Sequence, residues 1–308
     1  MTAPTPSSPA QGSPEAAVFQ HAFSIRAPRA RVWEALTDPG LLSIWFAEHA
    51  QVEPRVGGKF RFWGRHTPSF GREQVADQVI TAIEPGVRLA FDWSWCGGPT
   101  HCELRLADAG EGTTELAVAH RFPEPLEVYG QDETCWVAKD FWQLAAGNLD
   151  HFCRTGRAAL LPDHSAGGRD GATVDLSIEI DAPAEAVWRG ITEPGEIAKW
   201  LGSDPNLDSQ IRVDLRPGGV YSFGWEIGGA PCGPQEILEL EPRRRLVYSW
   251  RAHGKDITDR TEWLLEPLDA DRTRLTVRQF ATGSAREFSG YANGWGSFML
   301  EFKRQLEV

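Results

Sequence analysis

Phe23–Phe46 reads FSIRAPRARVWEALTDPGLLSIWF, and Ile178–Leu201 reads IEIDAPAEAVWRGITEPGEIAKWL. The second stretch follows the first at an offset of 155 residues. Ala27-Pro28, Val32-Trp33, Thr37, Pro39-Gly40 and Trp45 recur as Ala182-Pro183, Val187-Trp188, Thr192, Pro194-Gly195 and Trp200. Two tryptophan pairs held in register over that distance point to one domain written twice. The echo continues with small gaps. Val56-Gly57-Gly58-Lys59-Phe60-Arg61-Phe62 is answered by Pro217-Gly218-Gly219-Val220-Tyr221-Ser222-Phe223. Ile83-Glu84-Pro85 with Leu89, Phe91 and Trp93 is answered by Leu240-Glu241-Pro242 with Leu246, Tyr248 and Trp250. Thr114-Glu115-Leu116 echoes Thr273-Arg274-Leu275, and Trp142 and Trp295 open the last segment of each half. So long a period means tandem domains, not a solenoid.

Within each half the hydrophobic pattern changes period. Val174–Ile180 alternates, as a strand with one buried face does. The Ala-Pro that follows ends the ladder. Ala184, Val187, Trp188 and Ile191 fall at helical spacing, and Thr192-Glu193-Pro194-Gly195 stops that helix. A second short helix carries Ile197, Trp200 and Leu201. The Gly-Gly pairs read as tight turns into hairpin strands. Further strands are expected over Val75–Ile83, Arg88–Trp95, His101–Leu106 and Thr114–His120. Their matches are Gln235–Leu240, Arg245–Trp250, Arg260–Pro267 and Thr273–Phe280. A long helix closes each half, over about Cys135–Arg154 and Ala292–Leu306, with an apolar stripe on one side. The predicted fold class is α+β: a curved antiparallel sheet gripping the terminal helix.

The domain reading is a disordered tail over 1–16, a domain over 17–160, a flexible linker over 161–172 and a second domain over 173–308. A net charge of −12 argues against nucleic acid and against an anionic membrane surface as partners. The chain has no signal-peptide pattern and no apolar stretch of membrane-spanning length, so a cytoplasmic protein is expected. Five cysteines do not recur between the halves, which reads as free thiols. Thirteen tryptophans build either a large aromatic core or a ring-lined pocket.

The pattern V-W-x-x-[LI]-T-x-P-G-x-[LI]-x-x-W, followed by the Gly-Gly hairpin, [LI]-E-P and a Trp-headed terminal helix, carries a resemblance. It resembles the activator of heat-shock-protein-90 ATPase homologue-like branch of the SRPBCC (START-like, Bet v 1-like) superfamily, over Phe19–Thr155 and again over Thr173–Val308. The resemblance implies a helix-grip fold, with a cavity between sheet and long helix suited to a hydrophobic small molecule. Inward-facing rings would line it. In the first half these are Trp45, Phe60, Phe62, Trp93, Trp95 and Trp142. In the second they are Trp200, Tyr221, Phe223, Trp225, Trp250 and Trp295. The alternative for each ring is simple core filling, which is the reading for Trp33 and Trp188.

No catalytic motif is found: no HExxH, no GxSxG and no phosphate loop. His101 and Glu103, two apart on a strand, share a face and could form an acid/base pair, or lie half-buried at the surface. Glu103 and Glu262 recur; each is either a proton donor in a greasy cavity or an exposed strand residue. No metal and no cofactor are assigned. The first reading is a non-catalytic binder of a hydrophobic or aromatic small molecule. Two alternatives stand beside it. One is an enzyme of the polyketide aromatase/cyclase type, which also occurs as two fused START-like domains. The other is a co-chaperone of an Hsp90-type ATPase. The two halves are expected to pack as a pseudo-dimer.

Overall fold

The computed structural model describes residues 17–67, 78–95, 98–123, 131–164, 172–201, 210–227, 230–251, 258–281 and 285–307. The tail over 1–16, the start of the strand expected from Val75, and residues 165–171 of the linker lie outside them.

The first copy runs β1 (Ala17–Ile25), α1 (Arg29–Thr37), α2 (Pro39–Trp45), β2 (His49–Val52), β3 (Phe60–Trp63), β4 (Ile80–Glu84), β5 (Arg88–Trp95), β6 (Gly98–Gly110), β7 (Thr113–Phe122) and α3 (Gln131–Thr155). The second runs β8 (Val174–Ile180), α4 (Ala184–Thr192), α5 (Pro194–Leu201), β9 (Arg212–Val213), β10 (Tyr221–Ser222), β11 (Glu226–Ile227), β12 (Ala230–Pro231), β13 (Gly233–Glu241), β14 (Arg245–Arg251), β15 (Thr258–Pro267), β16 (Thr273–Phe280) and α6 (Ala285–Leu306). Each copy has a five-stranded antiparallel sheet, ordered β1-β7-β6-β5-β4 and β8-β16-β15-β14-β13. The orders are the same element for element. In both, the opening strand pairs with the last strand of the meander.

Three recurring sequence features have a structural cause. In the Ala-Pro corner, Thr114 Oγ1 donates to Ala27 O at 2.7 Å, and Thr273 Oγ1 donates to Ala182 O at 2.9 Å. The recurring Thr thus ties the last strand to the turn that ends the first. The second tryptophan of each block bonds back to the preceding helix. Trp45 Nε1 donates to Ala35 O at 3.1 Å and Trp200 Nε1 to Gly190 O at 2.8 Å. The Gly-Gly turns need glycine twice over. Gly57 and Gly218 have φ of +73° and +76°, where a side chain is strained. A Cβ on Gly58 or Gly219 would stand 2.2 Å from Glu53 O or 2.1 Å from Asp214 O. That tight approach lets Gly57 N and Gly218 N donate to Ile80 O and Ile237 O, both at 2.8 Å. The hairpin is thereby fastened to the sheet edge.

The long helices begin earlier than expected, at Gln131 and Ala285; the first turn of α3, Gln131–Thr134, is polar and carries no apolar periodicity, whereas on α6 Phe288 and Tyr291 extend the spacing of Trp295, Phe298 and Phe302. They also touch each other. A Cβ on Gly147 of α3 would meet Leu300 of α6 at 2.9 Å, and one on Gly296 of α6 would meet Leu144 of α3 at 3.1 Å. Leu144 and Leu160 are buried in the cluster that forms the second copy's core. The described part of the expected linker is held in place: His66 Nδ1 meets Pro162 O at 2.9 Å, and His164 N donates to Arg65 O at 2.7 Å. Buried Asn148 accepts from Ala159 N and Leu160 N, both at 3.0 Å, and donates to Leu160 O.

Candidate functional site

The first copy's interior is a continuous ring cluster between sheet and long helix. Period-two alternation aims Phe60 and Phe62 of β3 inward. On β5 it aims Phe91, Trp93 and Trp95 the same way, and on β7 Leu116, Val118, His120 and Phe122. From α3, Phe141 and Trp142 meet them. Trp93 and Trp95 lie nearly parallel, 5.0 Å apart, and both are nearly parallel to the His120 ring at 5.5 and 4.8 Å. Phe141 is 5.2 Å from each indole. Phe62 stands edge-on to Trp93 at 5.1 Å.

His120 is fully buried. Burial pushes its pKa well below the ordinary histidine value, with the nearby His101 adding to the effect, so the ring is neutral. Trp142 Nε1 lies 3.2 Å from its Nδ1. An indole N–H can only donate, so Nδ1 is the acceptor and the ring proton sits on Nε2. That Nε2, Trp93 Nε1 and Trp95 Nε1 are all buried without a hydrogen-bond partner among the described residues. Buried N–H donors normally find acceptors, because leaving one unpaired costs about 1–3 kcal/mol.

The second copy repeats the device with a different residue. Trp295, matched to Trp142, donates from Nε1 to Gln279 Oε1 at 2.5 Å. Gln279 stands on β16 where His120 stands on β7, and its Nε2 is buried and unpaired among the described residues. Trp250 lies 5.3 Å from Trp295 and 6.0 Å from Trp225.

The expected lining residues sort as follows. Trp45, Phe60, Phe62, Trp93, Trp95 and Trp142 are all buried, as are Trp200, Tyr221, Phe223, Trp250 and Trp295; Trp225 is half-buried. Besides Trp142 and Trp295, three of them are tied to backbone carbonyls by their polar atoms: Trp45 and Trp200 as above, and Tyr221, whose Oη donates to Ile191 O at 2.7 Å. The polar residues fall elsewhere. Cys102 and Leu104 take the inward places on β6, so His101 and Glu103 point to the opposite face. His101 Nδ1 pairs with Asp92 at 2.8 Å. Glu103 accepts from Arg88 at 2.5 Å and Arg105 at 2.6 Å. Burial pushes the Glu103 carboxyl up, but those two arginines outweigh it and hold the pKa below the ordinary value. Glu262 accepts from Arg245 at 2.5 Å, and Trp263 beside it takes the inward place. These three residues belong to hydrogen-bonded pairs on the outer face, not to the ring cluster. His120 and Gln279 carry the polar character inside. The sequence holds a signal for both: each is a polar residue on the apolar parity of a strand, six places after the recurring threonine.

Cys102, Cys153 and Cys232 are free thiols; Cys96 and the side chain of Cys135 lie outside the description. Burial pushes the Cys102 thiol well up and the Cys153 thiol up to about 11, so neither is primed as a nucleophile. Among the described residues no group of His, Cys, Asp or Glu could hold a metal ion. No described helix is long and apolar enough to cross a membrane.

A chain built from two α+β helix-grip units, each with a ring-filled interior, is a tandem member of the SRPBCC class. Residues 26–153 and again 181–307 match the family described as Activator of Hsp90 ATPase homolog 1-like protein, and the chain belongs to that family. DynU16, a protein from the dynemicin biosynthetic locus, is 19% identical over 94% of this chain and 98% of its own, with a TM-score of 0.38. CalU16 from Micromonospora echinospora is 24% identical over 46% of this chain and 87% of its own (TM-score 0.35). An AHSA1-like protein from Rhizobium etli is 25% identical over 48% of this chain and 87% of its own (TM-score 0.36). No curated protein matches.

Proposed function

We propose that the protein binds a hydrophobic or aromatic small molecule between the sheet and the long helix, without transforming it. One observation carries this reading: inward-facing rings from β3, β5, β7 and α3 meet in one buried cluster in the first copy, and from β10, β14 and α6 in the second. Flat guests are held by such walls through ring contact and area burial. Phe60, Phe62, Trp93, Trp95 and Trp142 would form the first site. Phe223, Trp225, Trp250 and Trp295 would form the second. Trp45, Trp200 and Tyr221 serve the scaffold through their hydrogen bonds. The same reading has the protein working in the cytoplasm, in keeping with the free thiols, and without nucleic acid as a partner.

Native mass spectrometry with a panel of aromatic and long-chain acyl compounds tests the proposal, together with thermal melts at saturating ligand. A guest at 100 times its Kd stabilises the folded chain by about 2.7 kcal/mol, enough to move a melting curve visibly. Retention of one or two guests per chain supports the reading. A panel in which nothing is retained and no melt shifts would reject it.

A further inference from the structure

The unpaired donors in the first copy say what kind of guest it takes. His120 Nε2, Trp93 Nε1 and Trp95 Nε1 sit in one cluster, with ring centroids no more than 5.5 Å apart. All three can give a hydrogen bond, and none can accept one. The tautomer is not free to change this, because Trp142 occupies Nδ1 as a donor. Among the described residues, the buried inward places of β3, β5, β7 and α3 hold no lysine or arginine; Arg61, whose Nε is buried, stands on the opposite parity of β3. A carboxylate or phosphate would therefore be buried there without a counter-charge, at heavy desolvation cost. A neutral oxygen acceptor on a flat apolar frame meets every condition.

We propose that the first copy selects planar aromatic guests bearing a neutral carbonyl oxygen, which accepts from His120 Nε2–H beside the two indole N–H groups. This rests on the reading that the cluster is a binding site, and goes beyond it by fixing the guest's polar chemistry. In the second copy one amide, Gln279, stands in the place of His120, so the two sites are chemically distinct.

The test uses 9-fluorenone and fluorene, two flat tricyclic probes that differ in a C=O against a CH₂, titrated by calorimetry into the full chain. The expected result is that fluorenone binds at least about tenfold more tightly than fluorene, because fluorene leaves the donors unpaired. His120→Phe is expected to bring that ratio close to one, because the carbonyl of fluorenone loses its donor while fluorene had none to lose. Trp142→Phe, which frees the tautomer, is expected to lower the ratio part of the way. Equal wild-type affinities, or a ratio unchanged in His120→Phe, overturn the proposal while leaving the binding reading intact. Binding of neither probe overturns this proposal, and the panel of aromatic and long-chain acyl compounds then decides the binding reading separately. The wild-type comparison decides the matter even where a variant fails to fold.

Discussion

Gly190 offers the sharpest test of how the second copy is packed. It lies on α4 facing Phe302 of α6, and a Cβ there would stand 2.2 and 2.4 Å from two carbons of the ring. Ordinary contact begins near 3.4 Å, so the Gly190→Ala methyl overlaps the ring by more than 1 Å. Overpacking of a filled core costs about 1–3 kcal/mol, and an overlap this deep belongs at the upper end. Alanine returns about 0.8–1.0 kcal/mol of helix propensity over glycine. The net expectation is a loss of about 2 kcal/mol. The first copy shows the alternative solution: its matched positions hold Ala35 and Leu149, both fully buried. Adding Phe302→Leu to Gly190→Ala recreates that pair and is expected to recover about 1–2 kcal/mol relative to the sum of the single changes. Hydrogen exchange read separately for α4 and α6 peptides is the suitable assay, because a two-copy chain need not unfold in one step. Wild-type protection in Gly190→Ala, or strictly additive losses in the double variant, would refute the packing argument.

Two further outcomes follow from polar groups near the contact between the copies. Burial raises the pKa of Asp140 to about 7 from an ordinary 3.8, with Lys139 opposing; the matched residue of the second copy is Asn293. The folded chain holds a proton that the unfolded chain releases between about pH 4 and pH 7, so this group's contribution falls as pH rises through that window. Asp140→Asn is therefore expected to exceed wild type by about 1–3 kcal/mol at pH 8, discounted for the carboxyl's partial solvent contact, and by almost nothing at pH 4. Urea melts at the two pH values check it, and a gain that is the same at both would contradict the account. Asn148→Ala strips the buried partners from Ala159 N, Leu160 N and Leu160 O, at an expected cost of about 3 kcal/mol. A thermal melt within a degree or two of wild type would show that those groups find water instead.

Much of the architecture is written in the repeated block. The Ala-Pro corners, the second tryptophan of each block and the Gly-Gly hairpins each impose a local geometry, and a hydrogen bond fixes each in both copies; Trp33, expected to fill the core, is only half-buried where Trp188 is buried. The start of α3 is less legible, since its first turn, Gln131–Thr134, lacks the apolar stripe that marks the rest; on α6 the stripe does extend back through Tyr291 to Phe288. The rings on the strands follow from alternation, and Trp142 and Trp295 from the apolar stripe of the long helix, once the resemblance supplies a helix gripped by a sheet. The polar residues could not be sorted without the parity of β6, where Cys102 is small enough to pass for an outward residue while Leu104 fixes the face. His120 has no matching histidine in the second half, and neither it nor Gln279 is marked by recurrence, for a related reason. They are different residue types at one structural position, so a search for recurring letters passes over them. What recurs is the indole that each must satisfy.

The glycine-to-leucine meshing of α3 with α6 makes the duplication more than a doubling of capacity. Leu144 and Leu160 come from the first half of the sequence yet complete the apolar interior of the second. A polypeptide cut between the repeats would bare a greasy strip on each fragment, and each fragment would answer by self-association or precipitation. Fusion into one chain supplies every molecule with that missing half at fixed stoichiometry. The two repeats can then drift apart in what they hold while remaining obliged to fold side by side.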